Sequence, residues 1–314
     1  MEFRHTTVLL RETVDGLNPK SGGIYCDGTL GGGGHAALIC ERIGKAGVFL
    51  GIDKDSEAIA AAQERLRPYG CRKLYRQGGF ENIKAILEET GISGLDGAVL
   101  DLGVSSRQLD EPERGFSYMQ DGPLDMRMDS GPDAGGLTAE DVVNSYSEQD
   151  LCRIFREYGE ERWARRIASF VANERRRGRI QSTGELSEII KRAIPAAARR
   201  EGPHPAKRVF QAIRIEVNDE LGALEKGLWA LIDALNPGGR LAVITFHSLE
   251  DRIAKEAFRR RENPCECPKG APVCVCGKKA DARRVTKKPI VPTEGERVGN
   301  PRARSAKLRI LEKM

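Results

Sequence analysis

Over its first hundred residues the chain alternates between short apolar runs and stretches with a helical period. Gly23 to Cys26 leads through a glycine-rich turn into the helical run Ala36 to Ile43. Val48 to Asp53 predicts a second buried strand, Lys73 to Gln77 a third and Gly97 to Leu102 a fourth. Apolar runs of this length, bounded by turn residues and separated by helical segments, predict parallel strands joined by crossover helices. Past Ser106 the alternation stops. The next stretch carries helical patterns, among them Ser147 to Tyr158 and Glu160 to Arg177, with breaks expected at Gly178, Pro195 and Pro203. It resumes where Asn236-Pro237-Gly238-Gly239-Arg240 turns into a fifth strand, Leu241 to Phe246, followed by a helix that opens at Ser248 and continues to Arg261. The pattern predicts an α/β domain in two segments, 1–110 and 207–314, interrupted by a helical insertion over 111–206. The insertion opens with a polar loop, Glu111 to Gly136, rich in Gly, Pro, Asp and Met.

At 314 residues and 39% hydrophobic content, the chain can bury one large core or two smaller ones. No apolar stretch approaches the ~20 residues of a membrane-spanning helix. The start, Met1-Glu2-Phe3-Arg4-His5, lacks a basic-then-apolar signal pattern. A soluble, cytoplasmic protein with no membrane partner is expected. Charge is unevenly divided: residues 1–155 hold 16 Lys and Arg against 25 Asp and Glu, whereas residues 156–314 hold 35 against 21. That asymmetry points to a cofactor-binding front half and a polyanion-facing back half. The densest basic runs are Arg175-Arg176-Arg177-Gly178-Arg179 and the tail Asn300 to Lys307; neither interleaves aromatic residues, so phosphate contacts rather than base stacking are expected there.

The candidate chemistry begins at Asp27-Gly28-Thr29-Leu30-Gly31-Gly32-Gly33-Gly34-His35. A strand that breaks on glycines and restarts as a helix lets backbone N–H groups approach a nucleotide-like ligand, because no Cβ stands in the way. Asp53 lies 20 residues beyond Gly33, the distance of the carboxylate that takes ribose hydroxyls in βαβ nucleotide folds. Gly31-x-Gly33-x-x-Ala36 also satisfies the dinucleotide pattern, so a nicotinamide dehydrogenase stays open on these residues alone. The first, second and fourth strands end in Asp27, Asp53 and Asp101, and such ends converge in a doubly wound sheet. Three acids could hold Mg²⁺. No phosphate-cradling Gly-Lys-Ser/Thr accompanies them, which favours a metal-free cofactor with a ribose, an amino group and a sulfonium.

Phe80, after Gly78-Gly79, presents an aromatic ring beyond the third strand, and His247 stands at the carboxyl end of the fifth. Ser248, with Glu250 and Asp251 behind it, reads as a helix start. Cys265-x-Cys267 and Cys274-x-Cys276 could hold Zn²⁺ tetrahedrally, although a one-residue spacing is less usual than two or four; a cysteine-rich loop without metal is the alternative. A cytoplasmic setting disfavours disulfides. Two other classes fit in part: a dehydrogenase leaves the basic half unexplained, and a non-catalytic RNA-binding or ribosome-assembly factor leaves the acids around a glycine loop unexplained.

Several long strings together resemble one family. They are His5 to Leu10, Asp27 to His35, Asp101-Leu102-Gly103-Val104-Ser105-Ser106-Arg107-Gln108-Leu109-Asp110, Arg114 to Ser117, Gly122 to Met128, Phe246 to Arg252 and Asn300 to Ser305. They look like the bacterial small-subunit rRNA cytosine-N4-methyltransferases of the RsmH/MraW type, from Met1 to the C-terminus. The resemblance implies a Rossmann-like class I sheet of seven strands that binds S-adenosyl-L-methionine, with the helical insertion as an RNA-recognition subdomain. It implies a cytidine in the decoding region of 16S rRNA as substrate, within the 30S subunit or a late assembly particle, with a homodimer left open. Residue by residue, cofactor contacts fall on Gly33, Gly34, His35, Asp53, Phe80, Asp101 and Gln108, with no metal. Members do not all carry the cysteine cluster, so catalysis should not need it.

The chemistry of such a transfer sets its own demands. Cytosine's exocyclic amine is a poor nucleophile because its lone pair is delocalised into the ring, so the enzyme must accept an amine hydrogen as that nitrogen becomes tetrahedral. Asp101 and the backbone from Leu102 to Ser105 are the candidates, with His247 beside them as a second catalytic residue. Many amino-methylases carry Pro-Pro-aromatic after this acid, and Leu-Gly-Val here departs from that. Methylation at carbon 5 would need a cysteine nucleophile, and the Pro264-Cys265 pair lies in a polar loop away from a strand end.

Overall fold

The computed structural model of the chain describes residues 7–129, 135–199, 204–268, 273 and 275–314. His5, Pro203, Cys274 and part of the Glu111–Gly136 loop lie outside the described residues. Two compact units emerge: one formed by 1–103 with 221–314, the other by 104–220.

The first unit is built on seven strands: β1 (Ile24–Asp27), β2 (Val48–Asp53), β3 (Arg72–Gln77), β4 (Leu95–Asp101), β5 (Leu235–Thr245), β6 (Ala282–Arg284) and β7 (Lys307–Lys313). Their order is β3-β2-β1-β4-β5-β7-β6. Strands β1 to β5 pair in parallel, whereas β7 runs antiparallel to β5 and β6 antiparallel to β7. The order reverses between β1 and β4, so the carboxyl ends of those two strands flank the crevice where open α/β sheets hold ligands.

Side-chain alternation sorts the core into two faces. Leu241 and Val243 face a cluster with the helices Ile83–Thr90, Glu220–Ala234 and Ser248–Glu262, while Ala242 and Ile244 face another with the helices Leu10–Leu17, Gly34–Ile43 and Ser56–Leu66. Among the elements that the sequence reading did not place individually are β6, β7 and the helix Glu220–Ala234. Strand β7 was hidden because its sequence, Lys-Leu-Arg-Ile-Leu-Glu-Lys, adjoins the basic tail and reads as charged. Strand β5 begins at Leu235 rather than Leu241, since Leu235 already pairs with Leu95 before a register shift absorbs the Asn236–Gly239 turn.

The second unit is helical, with helices Ser106–Asp110, Ala139–Ser145, Glu148–Glu157, Ala164–Glu174, Thr183–Ala193 and Lys207–Asn218. Thr138, Ser147 and Ser182 cap three of them by accepting backbone N–H bonds at 3.0 to 3.2 Å. The pattern over Glu160 to Arg177 becomes helix only from Ala164. Glu160 takes φ 47°, and the Glu161 carboxylate accepts the Trp163 N–H at 2.8 Å, which fixes a turn first. This unit reaches past 111–206 at both ends because Val104, Leu109, Phe210 and Ile213 pack in its core. Among the described residues, no helix is long and apolar enough to cross a membrane.

Candidate active site

Strand β1 ends in Asp27, and the loop behind it is tied to its neighbours by backbone bonds. Gly28 N–H donates to Val99 O on β4 and Leu30 N–H to Ile52 O on β2, both at 2.9 Å. Gly31 N–H donates to Asp53 Oδ2 at 2.7 Å, so the acid at the end of β2 holds the loop. Asp53 Oδ1 accepts the Asp55 N–H at 2.9 Å. A carboxylate offers about four acceptor sites, so these N–H bonds do not exhaust its capacity to accept from a hydroxyl. Burial pushes the Asp53 carboxyl above its ordinary range, and the N–H bonds from Asp55 and Gly31 hold it back.

The glycines meet different needs. Gly33 takes φ 72°, which favours glycine, and caps the helix that starts at Gly34. A Cβ on Gly34 would collide with the Thr7 hydroxyl, whereas one on Gly32 would meet nothing within 4 Å. The first-turn N–H groups of this helix have no intrahelical acceptor, which makes the turn a donor surface for a polar ligand. Phe80 packs beside this loop. A Cβ on Gly28 would lie 2.9 Å from the Phe80 Cβ, and one on Gly227 would collide with its ring.

His35 is buried and turned into the protein. Its Nε2 lies 3.1 Å from Val8 O; a carbonyl only accepts, so Nε2 carries the proton. Nδ1 then faces Asp101 Oδ2 at 3.6 Å, beyond hydrogen-bond range but well within electrostatic reach. Asp101 N–H donates to Thr29 Oγ1 at 2.6 Å, and that hydroxyl lies 3.4 Å from Asp27 Oδ1. Asp101 Oδ1 is buried with no hydrogen-bond partner among the described residues. Burial first, then the nearby Asp27 and Glu250 carboxylates, hold its carboxyl well above the ordinary range. Asp27, almost wholly enclosed, is pushed up to about 7, chiefly by burial and against the pull of its Thr29 N–H bond.

At the end of β5, Glu250 is buried and its Oε2 accepts the N–H groups of Phe246 at 2.7 Å and His247 at 3.2 Å. Its other oxygen lies 3.1 Å from His247 Nε2. Glu250 therefore fixes the backbone at His247 and also places negative charge near Asp101. Sequence reading treated Glu250 as a helix-start residue and passed over Thr29. An acid four residues after a strand end was the available signal for the first, and the second offered none.

Gly33, Gly34, His35, Asp53, Phe80, Asp101 and His247 all belong to the first unit, and Gln108 belongs to the second. Gln108 is buried there in a reciprocal cap: its Oε1 accepts the Ser105 N–H at 2.9 Å, and Ser105 Oγ accepts the Gln108 N–H at 3.2 Å. The two basic runs also differ. In the second unit Arg175 donates to Val143 O at 2.8 Å, Arg177 pairs with Glu174 at 3.0 Å and Arg179 pairs with Glu140, so much of that run is bound up internally. In the first unit Arg302 and Arg304 are exposed, while Ala303 between them is buried.

The model of the MraW methylase family matches residues 2–314. The ribosomal RNA small subunit methyltransferase H of Clostridioides difficile is 52% identical over 314 residues, covering all of both chains. Its counterpart in Carboxydothermus hydrogenoformans is 55% identical over 314 residues, covering all of this chain and 99% of the relative. That of Symbiobacterium thermophilum is 54% identical over 314 residues, covering all of this chain and 98% of the relative.

Proposed function

Because the chain belongs to the MraW methylase family, we propose that it is an S-adenosyl-L-methionine-dependent methyltransferase acting on the exocyclic N4 amine of a cytidine in the decoding region of 16S rRNA. The observation that carries this reading is the buried, unpartnered Asp101 Oδ1 beside a glycine-capped helix start at the reversal point of the sheet. Relatives named for small-subunit rRNA support the substrate class. The particle acted on is proposed to be the 30S subunit or a late assembly intermediate, in the cytoplasm.

The residues present fit this cofactor. Asp53 retains acceptor capacity for ribose hydroxyls, the backbone turn at Gly33, Gly34 and His35 opens the helix toward a polar ligand with Gly33 N–H donating to Leu30 O, and Phe80 supplies an apolar wall. When bound, the cofactor supplies an electrophilic methyl group on a sulfonium. Asp101 Oδ1 accepts a hydrogen of the target amine, which raises electron density on the nitrogen and takes up the proton it must shed. A carboxyl held above its ordinary range is the stronger base once ionised, which suits it to that task. His35 lies behind Asp101, its Nδ1 3.6 Å from Oδ2. His247, beside Glu250, is proposed to bound the amine side. Gln108, in the second unit, is proposed to contact the cofactor, and the 111–206 insertion to grip RNA.

The test is methyl transfer from labelled cofactor to naked 16S rRNA and to 30S particles, followed by mass spectrometry of the digested RNA. The label is expected on the exocyclic nitrogen of one cytidine; a methyl on carbon 5 or on ribose would refute the mechanism. Asp101→Ala is expected to lose transfer by about 10²-fold or more, the scale of a removed acid–base group, with RNA binding largely retained. His247→Ala is expected to lose less.

A further inference from the structure

Between the helix Ser248–Glu262 and β6 the chain forms no helix or strand among its described residues, yet it gathers three cysteine sulfurs. The Sγ atoms of Cys265, Cys267 and Cys276 all lie within 4.8 Å of one another, with Cys265 and Cys276 at 3.8 Å. Zinc–sulfur arms of ~2.3 Å at tetrahedral angles set a sulfur–sulfur edge of ~3.8 Å. A disulfide needs ~2.05 Å. The Cys265–Cys276 spacing is compatible with two sulfurs sharing one zinc and too long for a disulfide.

Two further features point the same way. Val275 N–H donates to Cys267 Sγ at 3.4 Å, a contact that stabilises a thiolate over a thiol. Gly277, directly after Cys276, takes φ 65°, which turns the chain back at once behind the second cysteine pair. Val273 and Val275 are 70% and 85% exposed, so neither anchors the segment. Its base is pinned by Arg261 to Asp281 at 2.7 Å and by Arg284 to Glu262. An irregular connection of this length inside a compact unit is uncommon, and a metal supplies the cross-link that a core does not.

We propose that Cys265, Cys267 and Cys276 bind one structural Zn²⁺ as thiolates, each releasing its proton to solvent, with a fourth donor completing the tetrahedron. Cys274 is the sequence's candidate for that place and lies outside the described residues. The ion staples the end of the helix Ser248–Glu262 to β6 and takes no part in methyl transfer.

The experiment uses the full chain, purified reduced and without chelator, with metal content read by plasma mass spectrometry. One zinc per chain is expected, and Cys265→Ser with Cys276→Ser should lower it at least tenfold, whereas Cys152→Ser, in the helix Glu148–Glu157, should leave it unchanged. Cobalt(II) in place of zinc should give a sulfur-to-metal charge-transfer band that weakens in Cys267→Ser. A folded wild-type chain that takes up no stoichiometric zinc would overturn the proposal. So would a cobalt spectrum without that band, or a Cys265–Cys276 disulfide in the reduced-purified protein.

Discussion

Asp27 is the most enclosed of the three strand-end acids, and its ionisation is costly. Its carboxyl titrates near 3.8 in the unfolded chain and near 7 in the folded one. The folded state therefore holds a proton that the unfolded state has lost between those values, and stability falls as pH rises from about 4 to 7, then levels off. The shift sets a ceiling of about 4 kcal/mol on that loss. Asp27→Asn keeps an acceptor for the Thr29 N–H and removes the buried charge. It is expected to raise stability at pH 8 by about 1–3 kcal/mol and to change little below pH 4, measured by guanidinium unfolding at both values. A variant equally stable to wild type at pH 8 would show that Asp27 is not strained by ionisation. Retaining a costly acid here is intelligible if a cationic ligand relieves it.

At the level of elements, the loop between β1 and the helix Gly34–Ile43 owes its shape to a side chain on another strand. Asp53 accepts the Gly31 N–H, so its loss should disturb both the loop and the proposed ribose contact. Asp53→Ala is expected to weaken S-adenosyl-L-methionine binding by roughly 1–3 kcal/mol, the scale of lost charge-assisted hydrogen bonds. Calorimetry with and without chelator measures it. Binding abolished by chelator in the wild type would count against a metal-free cofactor site. The helix Ser248–Glu262 shows the same logic: its Glu250 looks like an ordinary capping residue in sequence, yet its carboxylate fixes the backbone at His247 and raises Asp101.

For the whole molecule, the uneven charge division divides further in three dimensions. In the short turn Pro301–Ser305, Ala303 is buried and the flanking arginines are exposed. Arg302→Ala with Arg304→Ala is expected to flatten the dependence of RNA affinity on salt by about 1.5 to 2 units of log–log slope while leaving cofactor affinity unchanged. An unaltered slope would make the tail structural. Arg175→Ala, by contrast, removes a hydrogen bond to Val143 O and should act first on stability.

Alternating short strands and helices, the glycine loop, and acids closing three strands were all legible along the chain, because each is a local pattern with a local cause: side-chain periodicity, φ freedom and strand ends. The parallel core of the sheet and its helical interruption followed from those patterns. What tertiary structure alone decided were contacts between residues far apart in sequence. His35 faces inward, its Nε2–H donating to Val8 O across 27 positions. Thr29 receives the Asp101 N–H across 72 positions. Strand β7 pairs beside β5 although its own sequence reads as charged tail, since half of its side chains are buried only once β5 lies alongside. Burial and Coulomb interaction depend on distance through space, so the raised carboxyls of Asp27 and Asp101 and the convergence of three cysteine sulfurs exist only in the folded chain.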